Sequence, residues 1–525
     1  MSKSTTLPAP YGGVIEDVPE AAIPMPFCYN LVNFNTTKEG VTLRNGDSLF
    51  DKVVNQNLSA SKILGKYGDT ALFCIGWDIS TNEQKIYNVE TGALAYTSAA
   101  GGAGGFRPQF FNNRLYFFSA TPAYDPGFVY DGSSWGVCGY TGSSFLPEGG
   151  GNSFKSRNYI VQSGEAAYWY SEIEGVTGAL TKIDLSGIVS QKTTLANIAS
   201  ITLSDQVTTE RLQAFIMANG EIFFYKGSYP DSSDWAIAGT AKIGNLVSIS
   251  NSAFPYQGDT IILSDSGIVS LRDLFLKGSE EAINLSVNKR VQKTWQFLIK
   301  KLRTATSTPT GPMIFAIKGV WDALNSRIYI HLPCGYTPFD SSSFSYGGSN
   351  IFFVYDTTRS SWYFHTSGNL DSPIYASDIV YYKNKVLFLA PVEDVVVIEK
   401  EGSTGFMDRN RFDTDNVSYN FDIITAPIPT SKTAVQSITG IEPIIKSDMY
   451  AQINFKLRAD LGRQTTGAQV LADQGASVAK PLVNVGVQST FTQLQISGST
   501  VADKTVGLDL YSFNVWHDSG AEASR

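Results

Sequence analysis

Three histidines, His331, His365 and His517, are scattered through the chain, and none stands in the HxxxH or HExxH spacing that would bring two imidazoles onto one zinc ion. The four cysteines, Cys28, Cys74, Cys138 and Cys334, lie far apart with no CxxC pair, which predicts free, mostly buried thiols. No GxSxG elbow supports a serine nucleophile. The glycine-rich run Gly101-Gly102-Ala103-Gly104-Gly105 is not followed by Gly-Lys-Ser or Gly-Lys-Thr, so it lacks the lysine of a phosphate-binding loop. The densest acidic group, Asp413, Asp415 and Asp422, has neither the glycine nor the distal Glu of a calcium loop. These spacings predict no catalytic residue, no cofactor and no metal site, and hence a protein that is not an enzyme.

One segment does concentrate charge. From Ile283 through Trp321 there is no Asp or Glu, and Lys289, Arg290, Lys293, Lys300, Lys301 and Arg303 fall inside it. Val287, Val291, Trp295, Leu298 and Leu302 recur at spacings of three and four, which predicts one amphipathic helix near 279–306 carrying those cations. Its basic face is open to three readings: a solvated surface, docking onto an acidic neighbouring subunit, or contact with phosphate. We take the six cations as the candidate subunit or partner contact.

The elements around that helix read as strands. Asn112-Asn113-Arg114 leads into Leu115-Tyr116-Phe117-Phe118, Lys155-Ser156-Arg157 into Asn158-Tyr159-Ile160-Val161, and Asn325-Ser326-Arg327 into Ile328-Tyr329-Ile330-His331. Lys383-Asn384-Lys385 leads into Val386-Leu387-Phe388-Leu389, and Asn219-Gly220 into Glu221-Ile222-Phe223-Phe224. Turn residues that tolerate positive φ close hairpins here, and aromatic and β-branched residues build the strands. Often a Tyr, a polar turn and a Trp follow: Tyr130, Asp131 and Trp135, or Tyr355, Asp356 and Trp362. The stretch Val129 to Trp135 is faintly similar to the Asp-box of sialidase-type propellers, where the turn and the tryptophan hold a blade together, so these six are read as structural blade residues.

Roughly seven such units between about 55 and 405 predict an all-β fold, a β-propeller of about 6–7 irregular blades. A pair of β-sandwiches with similar hairpins is the other arrangement the pattern allows. The texture changes beyond 410, where Met449 to Leu461, Phe491 to Ile496 and Val506 to Trp516 alternate with period two. This predicts an N-terminal strap over 1–50, a propeller over 51–410 with the helical insertion, and a C-terminal antiparallel β-domain over 411–525, strap and C-terminal domain forming a platform. Ser98 to Gly105 and Phe339 to Asn350 read as exposed loops. Charged residues are only 17%, against about 25% in an average protein, and the net charge of −8 argues against a surface that wraps DNA. No apolar leader and no run of about 18 apolar residues stands out, so no membrane insertion and assembly in a reducing cytoplasm are expected.

The stretch Pro24-Met25-Pro26-Phe27-Cys28-Tyr29-Asn30-Leu31-Val32-Asn33-Phe34, followed by Lys38-Glu39-Gly40-Val41-Thr42-Leu43-Arg44-Asn45-Gly46, resembles the strap that opens many tail nozzle, tail hub and DNA-stabilisation proteins of short-tailed phages. Phe154 to Ser171, Gly220 to Gly227 with Trp235 and Gly239, and the strand Leu508 to Val515 are similar to later parts of that family. The resemblance implies a hexameric ring below the portal and adaptor, one propeller per subunit, lining the channel through which DNA leaves without specific binding. It also implies a location in the virion tail, and adaptor, portal and tail fibre or needle proteins as partners. A glycan-binding or glycan-cleaving propeller, secreted or carried on a spike, and a trimeric receptor-binding spike are the competing readings.

Overall fold

The computed structural model describes residues 2–518 apart from 20–21, 46, 54–57, 59–61, 99–105, 120–126, 205–208, 249–250, 285–288, 306–316, 336–344, 368–377, 391–394, 403–407, 410–415, 418–419, 429–435, 448–450, 460–463, 473–477, 480–482, 490–491 and 500–507. The alternating aromatic runs form antiparallel strands that meander into small sheets, each too narrow to stand alone. Blade 1 spans 63–98, blade 2 106–137, blade 3 152–184 and blade 4 195–242, each with four strands in sequence order. Blade 5 has three, within 253–270, and blade 6 has four, within 318–367. Blade 7 takes Asp378–Tyr382, Lys385–Ala390 and Val395–Glu399 and completes itself with Ser48–Val53 from the start of the chain. That strand pairs antiparallel with Val395–Glu399, so the ends of the propeller are tied in one sheet. Neighbouring blades pack together near their innermost strands, and the seventh packs against the first. Leu64 N donates to Asp378 Oδ2 across this last seam at 2.9 Å. The result is a closed seven-bladed wheel, which leaves only short edges exposed.

The hairpin residues behave as their types demand. Asn112 and Asn113, Lys155 and Ser156, and Lys383 and Asn384 all have positive φ, the pattern of the type I′ turn whose twist matches its strands. The core is divided among the seams. Phe73, Ile75 and Ile86 of blade 1 meet Phe106, Leu115, Phe117 and Phe128 of blade 2. Tyr168 of blade 3 stacks on Phe215 of blade 4 with centroids 4.4 Å apart. Ile216, Ile222 and Phe224 of blade 4 meet Ile262 and Val269 of blade 5. Burying such a side chain stabilises by roughly 1.5–3 kcal/mol, and the wheel repeats that contribution at each seam.

The strap and the C-terminal strands fold together. Ser361–Ser367, the outer strand of blade 6, pairs in parallel with Cys28–Val32, which is followed across the sheet by Asn420–Thr425, Thr492–Ser499, Ala451–Ala459 and Gln464–Ala472. A second sheet joins Ser2–Pro8, Phe34–Thr36, Val41–Leu43, Gln436–Ser447, Val478–Ala479, Val483–Ser489 and Leu508–Asp518. Phe34, Ile423, Ile445, Ile453, Phe455, Ile496, Leu508 and Leu510 fill the space between the two. This sandwich grows directly out of blade 6.

Two expectations need correction. The helical segment is not one helix over 279–306, and helix begins before it. It comprises α1 (Leu271–Lys277), α2 (Ser279–Asn284) and α3 (Gln292–Ala305), with Lys289–Val291 in a 3₁₀ turn. Gly278, at φ 78, stops α1, because a left-handed residue cannot continue a right-handed helix. Val287 lies outside the described residues. Of the stretch Phe339 to Asn350 read as a loop, Ser345 onward is strand, pairing Tyr346 with Cys334 and Asn350 with Ser367. Cross-strand pairing overrides the low strand preference of its Ser and Gly. The remainder of that stretch, Ala99 to Gly105, Asp413 and Asp415 lie outside the described residues.

Candidate subunit-docking face

Helix α3 stands where blade 5 lacks a fourth strand. Its apolar stripe, Trp295, Leu298, Ile299 and Leu302, is buried with Val291 of the preceding turn in the core shared by blades 5 and 6. Trp295 donates its indole N–H to Ser264 O at 2.9 Å and meets the edge of Phe353, centroids 5.7 Å apart. The strap supplies the cap. Glu16 accepts from Thr294 N at 3.0 Å and from Thr294 Oγ1 at 2.5 Å. A carboxylate at a helix N-terminus satisfies amide groups with no intrahelical partner and faces the positive end of the dipole. Burial nevertheless pushes the Glu16 carboxyl above its ordinary pKa, against the lowering effect of Thr294 and the nearby Lys293.

The six cations do not act as one group. Arg303 turns inward, donating to Asp265 Oδ2 at 2.8 Å and to Leu246 O at 2.8 Å. Arg290 donates to Ser360 O at 2.6 Å and lies over the Phe27 ring. These two arginines tie the helix to blades 5 and 6 and the strap. Lys289, Lys293, Lys300 and Lys301 are exposed. Lys293 and Lys300, seven positions apart on α3, share one outward side. The helix therefore presents a lysine face to solvent. An exposed ion pair at such a lysine is worth up to about 1 kcal/mol.

The strap residues that carry the family resemblance meet in a buried polar clasp against blades 6 and 7. Arg44 donates through Nε to Asn33 Oδ1 at 2.9 Å and through Nη2 to Thr366 O at 2.7 Å. Asp47 receives Arg44 Nη1 at 3.3 Å and Lys400 Nζ at 3.0 Å, and all three side chains are almost wholly excluded from solvent. Glu401 then accepts from Arg327 Nη1 at 2.8 Å, Tyr329 OH at 2.7 Å and Asn35 Nδ2 at 2.7 Å. The positive charge of Arg327 and these hydrogen bonds hold the Glu401 carboxyl below its ordinary pKa despite full burial. Burial and the neighbouring Lys400, Arg44 and Arg327 keep His365 well below its usual value, which leaves it neutral. Arg44 stands in the quoted strap motif, but nothing in the sequence couples it to Lys400 or Thr366, more than 300 positions away.

The six blade residues lie at the last hairpins of blades 2 and 6. Tyr130 and Trp135 are half-buried and Asp131 is exposed, while Asp356 and Trp362 are buried beside a half-buried Tyr355. All four cysteines are buried and none is in a disulfide. Among the described residues no three His, Cys, Asp or Glu side chains gather into a metal-binding group. No described helix is long and apolar enough to cross a membrane.

No protein-family model and no curated protein matches this sequence. Among solved structures, the β-propeller domain of Cps50 (Swd1) from Myceliophteria thermophila is similar at 8% identity and TM-score 0.40, covering 67% of this chain and 99% of that one. BamB from Moraxella catarrhalis is similar at 8% identity and TM-score 0.30, covering 69% of this chain and 99% of the other. The exo-β-1,3-galactanase of Phanerochaete chrysosporium is similar at 8% identity and TM-score 0.24, covering 90% and 100%. At such identities and scores none of them bears on function.

Proposed function

We propose that this chain is a non-catalytic structural protein of a short-tailed phage tail. In this reading it forms a homohexameric ring that lines the DNA exit channel and joins the portal and adaptor to distal parts such as fibres or a needle. The observation that carries the reading is the clasp. Asn33 and Arg44, which belong to the strap motif resembling that family, bind the strap to blades 6 and 7 and so weld propeller and sandwich into one stiff body. A ring that transmits load between tail parts needs such a weld. It also needs a heterologous interface that closes by rotation. The exposed lysines of α3 suit docking onto an acidic neighbour, and the net charge of −8 suits a lumen that repels DNA and releases it quickly.

The test is particle symmetry. Native mass spectrometry and negative-stain imaging of the purified full chain should give six-fold rings. Replacing Lys289, Lys293, Lys300 and Lys301 together by Glu should abolish the rings while leaving the circular dichroism spectrum unchanged. A three-fold particle would favour the receptor-binding spike. A stable monomer that binds a polysaccharide in a glycan screen would overturn the proposal in favour of the glycan-directed propeller.

A further inference from the structure

The axis of the wheel holds charges that a purely mechanical scaffold does not require. A cavity of ≈ 650 Å³ is lined by the two innermost strands of blades 2 to 6 and the turns beside them, within the range typical of small-molecule sites. Arg107 of blade 2, Arg211 of blade 4 and Lys318 of blade 6 all line it, and Asp259 is the one carboxylate among its described lining residues. Among the described lining residues cations outnumber carboxylates three to one, and Asp378, which bonds Lys318, stands behind that wall.

The lining carboxylate is already committed. Asp259 accepts from Thr260 N at 2.7 Å, from Arg272 N at 3.0 Å and from the Ser270 hydroxyl. The cations are positioned from three directions. Arg107 is 8% exposed and donates to Phe106 O at 2.9 Å, with Asp378 and Glu148 as the carboxylates in its surroundings. Lys318 bonds Asp378 at 2.8 Å. Arg211 donates to Ser200 Oγ at 3.0 Å and sits over the Phe154 ring. Gly149 and Gly150, at φ 79 and 77, bring main chain against the cavity wall, where a Cβ on Gly149 would lie 2.1 Å from Arg107 Cβ.

We propose that this axial cavity binds a small multivalent oxyanion of the phosphate class, with Arg107, Arg211 and Lys318 as its charge partners. Three cations on separate blades fit a ligand with more than one anionic group. The hydroxyl of Ser200 and the side-chain N–H groups of Asn152, both in the lining, suit its remaining oxygens. The site belongs to a single wheel and stands whether or not the chain assembles into a ring.

Isothermal titration of the full chain at low ionic strength, with pyrophosphate as the probe, tests it. Saturable one-to-one binding is expected, with no saturable heat from acetate. Arg211→Ala and Lys318→Met should each weaken binding by about tenfold. Lys182→Ala removes a rim lysine paired with Glu165 and should change nothing. No saturable heat from pyrophosphate, or an equal loss in the Lys182 variant, overturns the proposal, the latter by showing general attraction to surface charge. Should Lys318→Met unfold because Asp378 loses its partner, Arg211→Ala, on an exposed strand end, decides the matter alone.

Discussion

Blades 2 and 6 carry the same local device in two settings. In each Val-Tyr-Asp runs from a strand into a polar turn, and a tryptophan in the next strand pairs directly with the tyrosine. Asp131 accepts from Ser133 N at 2.9 Å and Ser134 N at 2.8 Å. Asp356 accepts from Thr358 N at 3.0 Å and Arg359 N at 3.1 Å. Tyr130 and Trp135 have centroids 5.3 Å apart, Tyr355 and Trp362 4.9 Å, both tilted by 35°. Yet Trp135 is half-buried on an open edge strand, whereas Trp362 is wholly buried. The difference is the cover. Cys28–Val32 pairs beside Trp362's strand, and Val14 N donates to Trp362 O at 2.8 Å. Gly13, at φ 76, permits that approach, since a Cβ there would lie 2.6 Å from the same oxygen. The turn chemistry sets the shape of the unit, while its energetic weight comes from segments far away in the chain.

The comparison breaks most visibly under truncation. Trp362→Ala should lower stability by about 3–5 kcal/mol, through lost transfer energy and the cavity left behind. Trp135→Ala should cost about 1–2 kcal/mol, as the site is partly solvated already. Urea unfolding followed by far-ultraviolet circular dichroism measures both, and equal losses would refute the account. Removing the cover's anchor sharpens the contrast. Arg44→Met takes one donor from Thr366 O and one from Asn33 Oδ1, which keeps Thr366 N, and unbalances Asp47 and Lys400, at a cost of about 3 kcal/mol. Hydrogen exchange should then accelerate in Ser361–Ser367 and stay unchanged in Trp135–Val137. Uniform acceleration would mean that the clasp stabilises the wheel generally instead of fastening the strap.

The same contrast explains what was legible in the sequence. Hairpin turns, aromatic strands and the apolar stripe of α3 are local signals, and the structure forms each of them. So is the Asp turn, whose partners lie two and three residues on. The fate of the six cations was not legible, because Arg303 finds Asp265 and Leu246 O through the fold, while Lys293, with the same charge and a similar spacing, stays outside. The break between α2 and α3 was hidden too, since the cap of α3 is Glu16 from the strap. The axial cavity gave no signal, as Arg107, Arg211 and Lys318 come from three blades and line one cavity only once the wheel closes. Blade 5's short sheet was likewise read only as an irregular repeat, with no sign that helices replace its fourth strand.

The smallest expected effect lies in the exposed unit itself. The amides of Ser134 and Ser133 and the Ser133 hydroxyl hold the Asp131 carboxyl down to a pKa of about 2, below its ordinary value near 3.9. A depressed carboxylate stabilises the fold fully above that ordinary value, and the contribution disappears as pH falls through the folded value. The blade 2 turn should therefore keep its geometry at pH 5 and loosen toward pH 2. Nuclear magnetic resonance titration of the Asp131 carboxyl carbon should give a midpoint of about 2. Asp131→Asn keeps an acceptor for the same amides but carries no charge, so exchange of the Ser133 and Ser134 amides should become independent of carboxyl titration over this range. A midpoint at the ordinary value would show that these three donors do not hold the charge in solution, and the shared geometry of blades 2 and 6 would then rest on the Tyr–Trp contact alone.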